Sequence, residues 1–180
     1  MKKILIILLA ILCIPLSGFA MSLSTIQNNP DRYLKVDEDA VWAMYLDTYS
    51  VKSIRYNPPY YTLSANTYFV VYPRNYIGLC SQTFNYDYNY SMNSTIDRIV
   101  SDMNLNGETL DDDVVISRTE AALQVNSGII YTMTPLAVWK FNGQLLEKLD
   151  SKTISDDVNY AERPYRMAQA VFKTYYKQNF

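Results

Sequence analysis

Apolar and polar residues alternate with a period of two along the first half of the chain, a pattern typical of half-buried β-strands. Residues 41–46 predict one strand that ends at Asp47, whose carboxylate can cap a single helical turn over residues 47–50. Two longer strands are expected over residues 60–72 and 79–90. The pattern therefore predicts a β-sheet built largely from this half of the chain.

The second half of the chain contains two Asn-Gly steps, which favour two-residue hairpins because both residues tolerate a positive φ. Asn142-Gly143 lies between two strand-like stretches, whereas Asn106-Gly107 follows alternating apolar and polar residues over 99–105. Between the two steps, residues 114–125 favour a short helix. We predict a β-hairpin at each Asn-Gly step.

The chain ends in a segment with apolar residues at three- and four-residue spacing, which predicts a helix over residues 160–178. Pro164 falls in its first turn, where a missing N–H costs little, and Asp157 or Asn159 can cap it. The predicted buried stripe comprises Ala161, Tyr165, Ala168, Phe172, Tyr175 and Tyr176. The fold class expected is α+β, with a single antiparallel β-sheet of about five to seven strands and this C-terminal α-helix packed on one face.

The first twenty residues have the order of a secretory signal peptide. Lys2 and Lys3 precede an apolar run over residues 4–16, and the small residues Gly18 and Ala20 follow. We predict cleavage after Ala20, which is typical of a bacterial exported protein of the periplasm, the cell surface or the extracellular space. The apolar run is short for a membrane span, so membrane contact is expected only through an uncleaved signal peptide. The remaining residues, 21–180, form one exported α+β domain.

Composition and charge exclude several classes of function. The 180 residues include no histidine, which excludes catalysis by a histidine base and metal sites built on imidazole. A formal net charge of −2 argues against nucleic acid as a partner. After cleavage Cys80 is the single cysteine, so no internal disulfide can form; a buried apolar role competes with an intermolecular bridge or a reactive thiol. We expect no cofactor.

Seventeen tyrosines are the most unusual feature of the composition. On the two long strands they stand where an exposed sheet face would usually show Thr, Lys or Glu. Cross-strand aromatic pairs stabilise a sheet, which is one role open to them. The other role is an aromatic surface that binds a protein or a glycan, since tyrosine combines a large ring with a polar tip. The candidate binding residues are Tyr68, Tyr72, Tyr86, Tyr88 and Tyr90.

Acidic and amide side chains around the first Asn-Gly step have the spacing of an oxygen-ligand calcium loop. The weak candidate ligands are Asp102, Asn104, Asn106 and Asp113. Thr109 replaces the aliphatic residue of such loops, and an Asn-Gly hairpin explains the same residues without metal, so we predict no metal site. Neighbouring carboxylates at residues 37–39 and 156–157 leave a carboxylate-only hydrolase as a remote alternative.

The order of these parts resembles the bacterial surface-adhesin protein E-like family. The resemblance lies in Trp42 followed by Tyr45-Leu46-Asp47-Thr48-Tyr49-Ser50-Val51, then long strands, Asn-Gly-x-x-Leu steps and a terminal helix. It implies a small exported domain with an antiparallel sheet, a helix lying against it and adhesion to host proteins. The cysteine pair that tethers the helix in that family is missing here.

These features together predict an exported envelope or surface binding protein, adhesin-like and without catalytic activity. Its expected partner is a protein or glycan at the cell envelope, or a second copy of the chain in a homodimer. The alternative is a structural subunit of a periplasmic or envelope assembly. If the tyrosine face is open to solvent, replacing Tyr86 and Tyr88 with serine should leave the fold near intact.

Overall fold

The computed structural model describes residues 20–180, so nearly all of the predicted signal peptide, residues 1–19, lies outside the described residues. The predicted α+β class is confirmed: one antiparallel sheet is accompanied by helices that include a C-terminal one, and the sheet has eight strands, somewhat more than expected. The elements are α1 (Leu23–Gln27), β1 (Tyr33–Glu38), β2 (Trp42–Asp47), β3 (Lys52–Asn57), β4 (Tyr60–Val71), β5 (Tyr76–Asp87), α2 (Met92–Leu105), α3 (Asp112–Val125), β6 (Ile129–Lys140), β7 (Leu145–Lys148), β8 (Ile154–Asp157) and α4 (Arg163–Tyr176).

The two long predicted strands form the centre of the sheet, whose strand order is β1-β2-β4-β5-β6-β7. Strand β2 pairs with the second half of β4 and β3 with its first half. In the same way, β7 pairs with the second half of β6 and β8 with its first half. Strand β5 ends at Asp87, not at residue 90, because the Asp87 carboxylate accepts the Asn89 N–H at 3.1 Å and caps a 3-10 turn over Tyr88–Tyr90. The strand prediction was therefore wrong for those last residues.

Helix α4 covers one face of the sheet, as predicted, with bounds narrower than residues 160–178. Tyr165, Ala168 and Phe172 are buried against the sheet, but Tyr175 is 45% exposed and Ala161 lies before the helix. Neither Asp157 nor Asn159 is the N-cap; that position is Glu162. The predicted stripe was too long at its start, because the helix begins at Arg163. At its end, Tyr176 is partly buried against the core, with its ring centroid 5.4 Å from that of Tyr61.

The opposite face is partly covered as well, by a segment that the periodicity did not reveal. Helix α1 begins just after Met21, and Met21 and Ile26 pack against Tyr45, Tyr68 and other residues of this face. The Leu23 N–H donates to the Phe141 carbonyl at 3.0 Å and fixes the segment at the β6–β7 turn. One half of this second face is therefore a second core, and the other half carries side chains that are half-buried or exposed among residues 20–180.

The first Asn-Gly step does not form a β-hairpin. Residues 99–105 belong to α2, which begins at a cap where the Ser91 hydroxyl accepts the Ser94 N–H at 3.3 Å. Asn106 and Gly107, with φ 68°, end this helix and lead into α3, so the two elements form a helical hairpin. The second step, Asn142-Gly143, does connect two strands, and the helix expected over residues 114–125 is confirmed.

A capped turn after β2 is also present and carries a half-buried ion pair. The Asp47 carboxylate accepts the Tyr49 N–H at 3.2 Å, and Arg32 donates to both of its oxygens at 3.0 and 2.9 Å. The Asp47 side chain is 4% exposed, whereas that of Arg32 is 45% exposed. The guanidinium thus neutralises a carboxylate that water barely reaches.

Replacing Arg32 with methionine is expected to lower the free energy of unfolding by about 2 kcal/mol, because it leaves the buried Asp47 carboxylate without its ion-pair partner. The loss is moderate because the Arg32 side chain is partly exposed, so water screens the ion pair. Urea denaturation measures the loss. Lys35→Met is the matched control, since the Lys35–Glu38 ion pair is exposed on both sides and should contribute nothing measurable. Equal effects of the two substitutions would contradict this assignment.

Candidate functional site

The five candidate tyrosines do not share one exposed face. Tyr86 is 1% exposed, and its hydroxyl donates to the Ala168 carbonyl at 2.8 Å beneath α4. Tyr88 is half-buried, with its ring centroid 5.8 Å from that of Phe180. Tyr68 is 6% exposed and lies on the opposite face. The expectation of an open tyrosine face is therefore wrong for Tyr68 and Tyr86, because α1 and α4 cover them.

The remaining two tyrosines lie in 3-10 turns at the ends of the long strands. Tyr72 is half-buried, and its hydroxyl donates to Glu38 Oε1 at 2.7 Å. The hydrogen bond from the Lys35 ammonium, and after it this bond from Tyr72, lower the pKa of Glu38. Tyr90 is half-buried and borders a cleft at one end of the sheet, which also reaches the edge of Tyr86. This end of the sheet brings the candidate Tyr90 next to open space.

The cleft has a volume of about 680 Å³ and lies on the open half of the sheet face opposite α4. Its floor is one row of side chains that stand directly opposite one another on five adjacent strands. At an interstrand spacing of about 4.8 Å, the row is about 19 Å long. We call it the polar row; its members are Arg55, Thr62, Asn85, Ile130 and Asp157.

The chemistry of the polar row is mixed and nearly neutral. The Thr62 hydroxyl donates to Asn85 Oδ1 at 2.8 Å, which commits the amide carbonyl to the sheet and leaves the NH2 group to face a ligand. Ile130 adds a 47% exposed apolar surface beside it. Arg55 and Asp157 place opposite charges at the two ends of the row. A bound molecule would thus find donors, acceptors and an apolar contact in one line.

Two tyrosine rings form the walls of the cleft. Tyr60 is 45% exposed, and the Arg55 guanidinium carbon lies 5.6 Å from its ring centroid. Tyr90 stands against Gly128, which has φ 70° and whose replacement by any larger residue would bring a Cβ within 2.6 Å of the Tyr90 Cβ. Gly128 therefore sets both the backbone turn and the position of the Tyr90 ring.

Polar residues continue from the cleft across the open face. A second row in the same register consists of Lys52, Ser64, Thr83, Thr132 and Ser155. These five residues were not predicted as a site from the sequence. The alternating polar positions along the two long strands indicate that one sheet face is polar. Which residues of different strands lie side by side on that face depends on strand pairing, which the sequence does not show.

The residues with the spacing of a calcium loop do not come together as a calcium-binding site. Asp102 lies in the last turn of α2, while Asp111 caps α3 by accepting the N–H groups of Asp113 and Val114 at 3.0 and 3.3 Å. Within residues 20–180, no group of three or more His, Cys, Asp or Glu residues is placed to hold a metal ion. The acidic residues here belong to helix ends. Cys80 is buried, and burial raises the pKa of its thiol to about 11.

Comparisons of the chain with protein-family models, curated proteins and solved structures find no match. Among the described helices, none has the length and apolar character needed to cross a membrane. The cleft is therefore the feature of this protein whose geometry and chemistry bear most directly on its function.

Proposed function

We propose that this protein is an exported bacterial envelope or surface protein that binds a neutral oligosaccharide in the cleft over the polar row. The observation that carries the proposal is the alignment of hydroxyl, amide and apolar side chains on five strands beside an exposed tyrosine ring. Export is proposed from the signal-peptide pattern of residues 1–20. A surface location would agree with the adhesin-like role that the family resemblance implies.

A saccharide ring presents hydroxyl groups around its edge and an apolar C–H face. Tyrosine offers a ring for the apolar face and a polar tip, and binding sites combine such apolar contacts with a few oriented polar groups. In the cleft, the Tyr60 ring offers the apolar contact and the Asn85 amide offers an oriented polar group. Ile130 lies next to Asn85 on the following strand, where it can contact the methyl of an N-acetyl group. The arrangement therefore favours an N-acetylated sugar.

The cleft contains one cation, Arg55, and two carboxylates, Asp87 and Asp157, a mixture that suits a neutral ligand better than a polyanion or a polycation. Arg55 and Asp157 lie at opposite ends of the polar row and balance each other. The length of the row suits several linked sugar rings better than one. The proposed activity is binding without bond cleavage.

One observation favours a second candidate, the carboxylate-only hydrolase. The cleft brings together Asp87, Asp157 and Arg55, two carboxylates and a cation. The Asp87 carboxylate already accepts a backbone N–H in the 3-10 turn, which ties it to a structural role. Incubation with tri-N-acetylchitotriose, followed by chromatography, separates the two functions: the intact trisaccharide is expected, and shorter products would favour the hydrolase.

Replacing Tyr60 with alanine is expected to weaken binding of tri-N-acetylchitotriose about tenfold, equivalent to about 1.4 kcal/mol, because the stacking surface is lost. Isothermal titration calorimetry measures the change. Maltotriose, which lacks N-acetyl groups, should bind more weakly than the probe to the unmodified protein.

Tyr49→Ala is the matched control for this experiment. Tyr49 is 74% exposed and lies in the turn after β2, outside the cleft, so its loss should leave the affinity unchanged. The proposal fails if the unmodified protein binds neither trisaccharide, or if Tyr60→Ala binds the probe as tightly as the control does.

A further inference from the structure

A second cavity, of about 290 Å³, lies between the first turns of α4 and the sheet, on the face opposite the polar row. Three methionines, Met44, Met133 and Met167, line it together with the rings of Trp42 and Phe69. Its volume is at the lower end of the range for small-molecule sites. The cavity is therefore large enough for a small ring system and lined mainly by apolar side chains.

One buried polar atom in this cavity has no partner. Gln82 lines the cavity from β5 and is 4% exposed, and its Oε1 accepts no hydrogen bond from any residue between 20 and 180. Buried polar groups in folded proteins are nearly always hydrogen-bonded, so such an acceptor calls for an explanation. A ligand that donates one hydrogen bond would supply the missing partner.

Water is a poorer explanation than a ligand. A buried water makes roughly two to four hydrogen bonds, which requires several polar groups around it. The other polar side chains at the cavity are those of Tyr131 and Arg163, and the Arg163 guanidinium is already engaged, since it donates to Asp39 Oδ2 at 3.1 Å and lies 3.8 Å from the Trp42 ring centroid. Gln82 Oε1 is thus an unsatisfied acceptor among mainly apolar side chains.

We propose that this cavity binds a small aromatic molecule carrying a single N–H or O–H donor, which donates to Gln82 Oε1. Thioether sulfurs make favourable contacts with aromatic rings, and methionine adapts its shape to a guest, which suits the three methionines to this ligand class. Trp42 and Phe69 add aromatic faces. The inference is independent of the oligosaccharide proposal, because no residue lines both cavities.

The test compares indole with 1-benzothiophene, which has nearly the same shape but no N–H donor. Calorimetry on the full protein is expected to show indole binding at least tenfold more tightly. In Gln82→Leu the preference should disappear and 1-benzothiophene should bind at least as well as indole. This substitution removes an unsatisfied acceptor from a mainly apolar site, so the fold should persist, which a thermal melt verifies.

Three outcomes would overturn the proposal: no binding of indole, equal binding of both compounds to the unmodified protein, or an unchanged preference in Gln82→Leu. The comparison of the two compounds on the unmodified protein needs no variant, so the test decides even if Gln82→Leu does not fold. Binding of tri-N-acetylchitotriose should be the same in the presence and absence of indole. Because the two ligands bind independently, a failure of the aromatic-ligand proposal can be distinguished from a failure of the oligosaccharide proposal.

Discussion

Replacing Tyr86 with serine is expected to lower the free energy of unfolding by about 4 kcal/mol. Tyr86 is among the largest fully buried side chains, and its ring lies 5.0 Å from that of Phe172, centroid to centroid. Removal of a buried aromatic ring leaves a cavity and typically costs about 3–5 kcal/mol. The Ala168 carbonyl would also lose its donor. Urea denaturation monitored by circular dichroism measures the loss.

Two controls separate ring packing from other effects of the change. Tyr86→Phe removes only the hydroxyl and is expected to cost about 1 kcal/mol. Tyr49→Ser alters a largely exposed tyrosine and should change stability by no more than about 0.5 kcal/mol. If Tyr86→Ser is as mild as Tyr49→Ser, the ring is not part of the core, and the sequence-based expectation of an open tyrosine face would be restored.

Raising the pH from 10 to 12 is expected to destabilise the protein steeply. Burial raises the pKa of Tyr68 and Tyr86 and raises that of Tyr165 to about 12. Below the unfolded-state pKa near 10, both states keep these protons and the stability is fully present. Above it, the unfolded chain releases protons that the folded chain retains. Each such tyrosine then lowers the free energy of unfolding by about 1.4 kcal/mol per pH unit.

Denaturation at a series of alkaline pH values measures this slope, and tyrosinate absorbance reports how many rings ionise before unfolding. Tyr86→Phe is the control, because it removes one of the protons that the folded state retains. Its slope should be shallower by about 1.4 kcal/mol per pH unit. A stability that stays level up to pH 12, or a slope that Tyr86→Phe leaves unchanged, would contradict the assignment of these hydroxyls to the core.

The two long central strands and the terminal helix could be predicted because their patterns have a single interpretation, whereas the strands β1, β3 and β8 were not predicted. Residues 62–66 alternate strictly between polar and apolar side chains, and a helix would not place the apolar ones on one side. Residues 99–105 were misassigned because Ile99 and Met103 are spaced by four, a separation compatible with both a helix face and one side of a strand. The Ser91 cap, eight residues upstream of Ile99, decides between the two.

The cover of each sheet face and the site itself could not be predicted from the pattern. Alternation along one strand shows which of its residues share a face. It shows that Tyr68 and Tyr86 lie on opposite faces only when the register between β4 and β5 is known. It cannot show that α1 covers one face while α4 covers the other. The polar row joins residues between 55 and 157, so it exists only through strand pairing. Gln82, likewise, becomes a candidate ligand-binding residue only once the structure shows that it is buried among mainly apolar side chains.

The central claim is that the polar row on the open sheet face binds an oligosaccharide. Its most direct test is a titration of the isotope-labelled protein with tri-N-acetylchitotriose, followed by two-dimensional amide NMR spectra. We predict that the largest shifts occur at Thr62, Asn85 and Ile130, with none at Met167 in α4. An absence of shifts, or shifts confined to the α4 face, would contradict the claim.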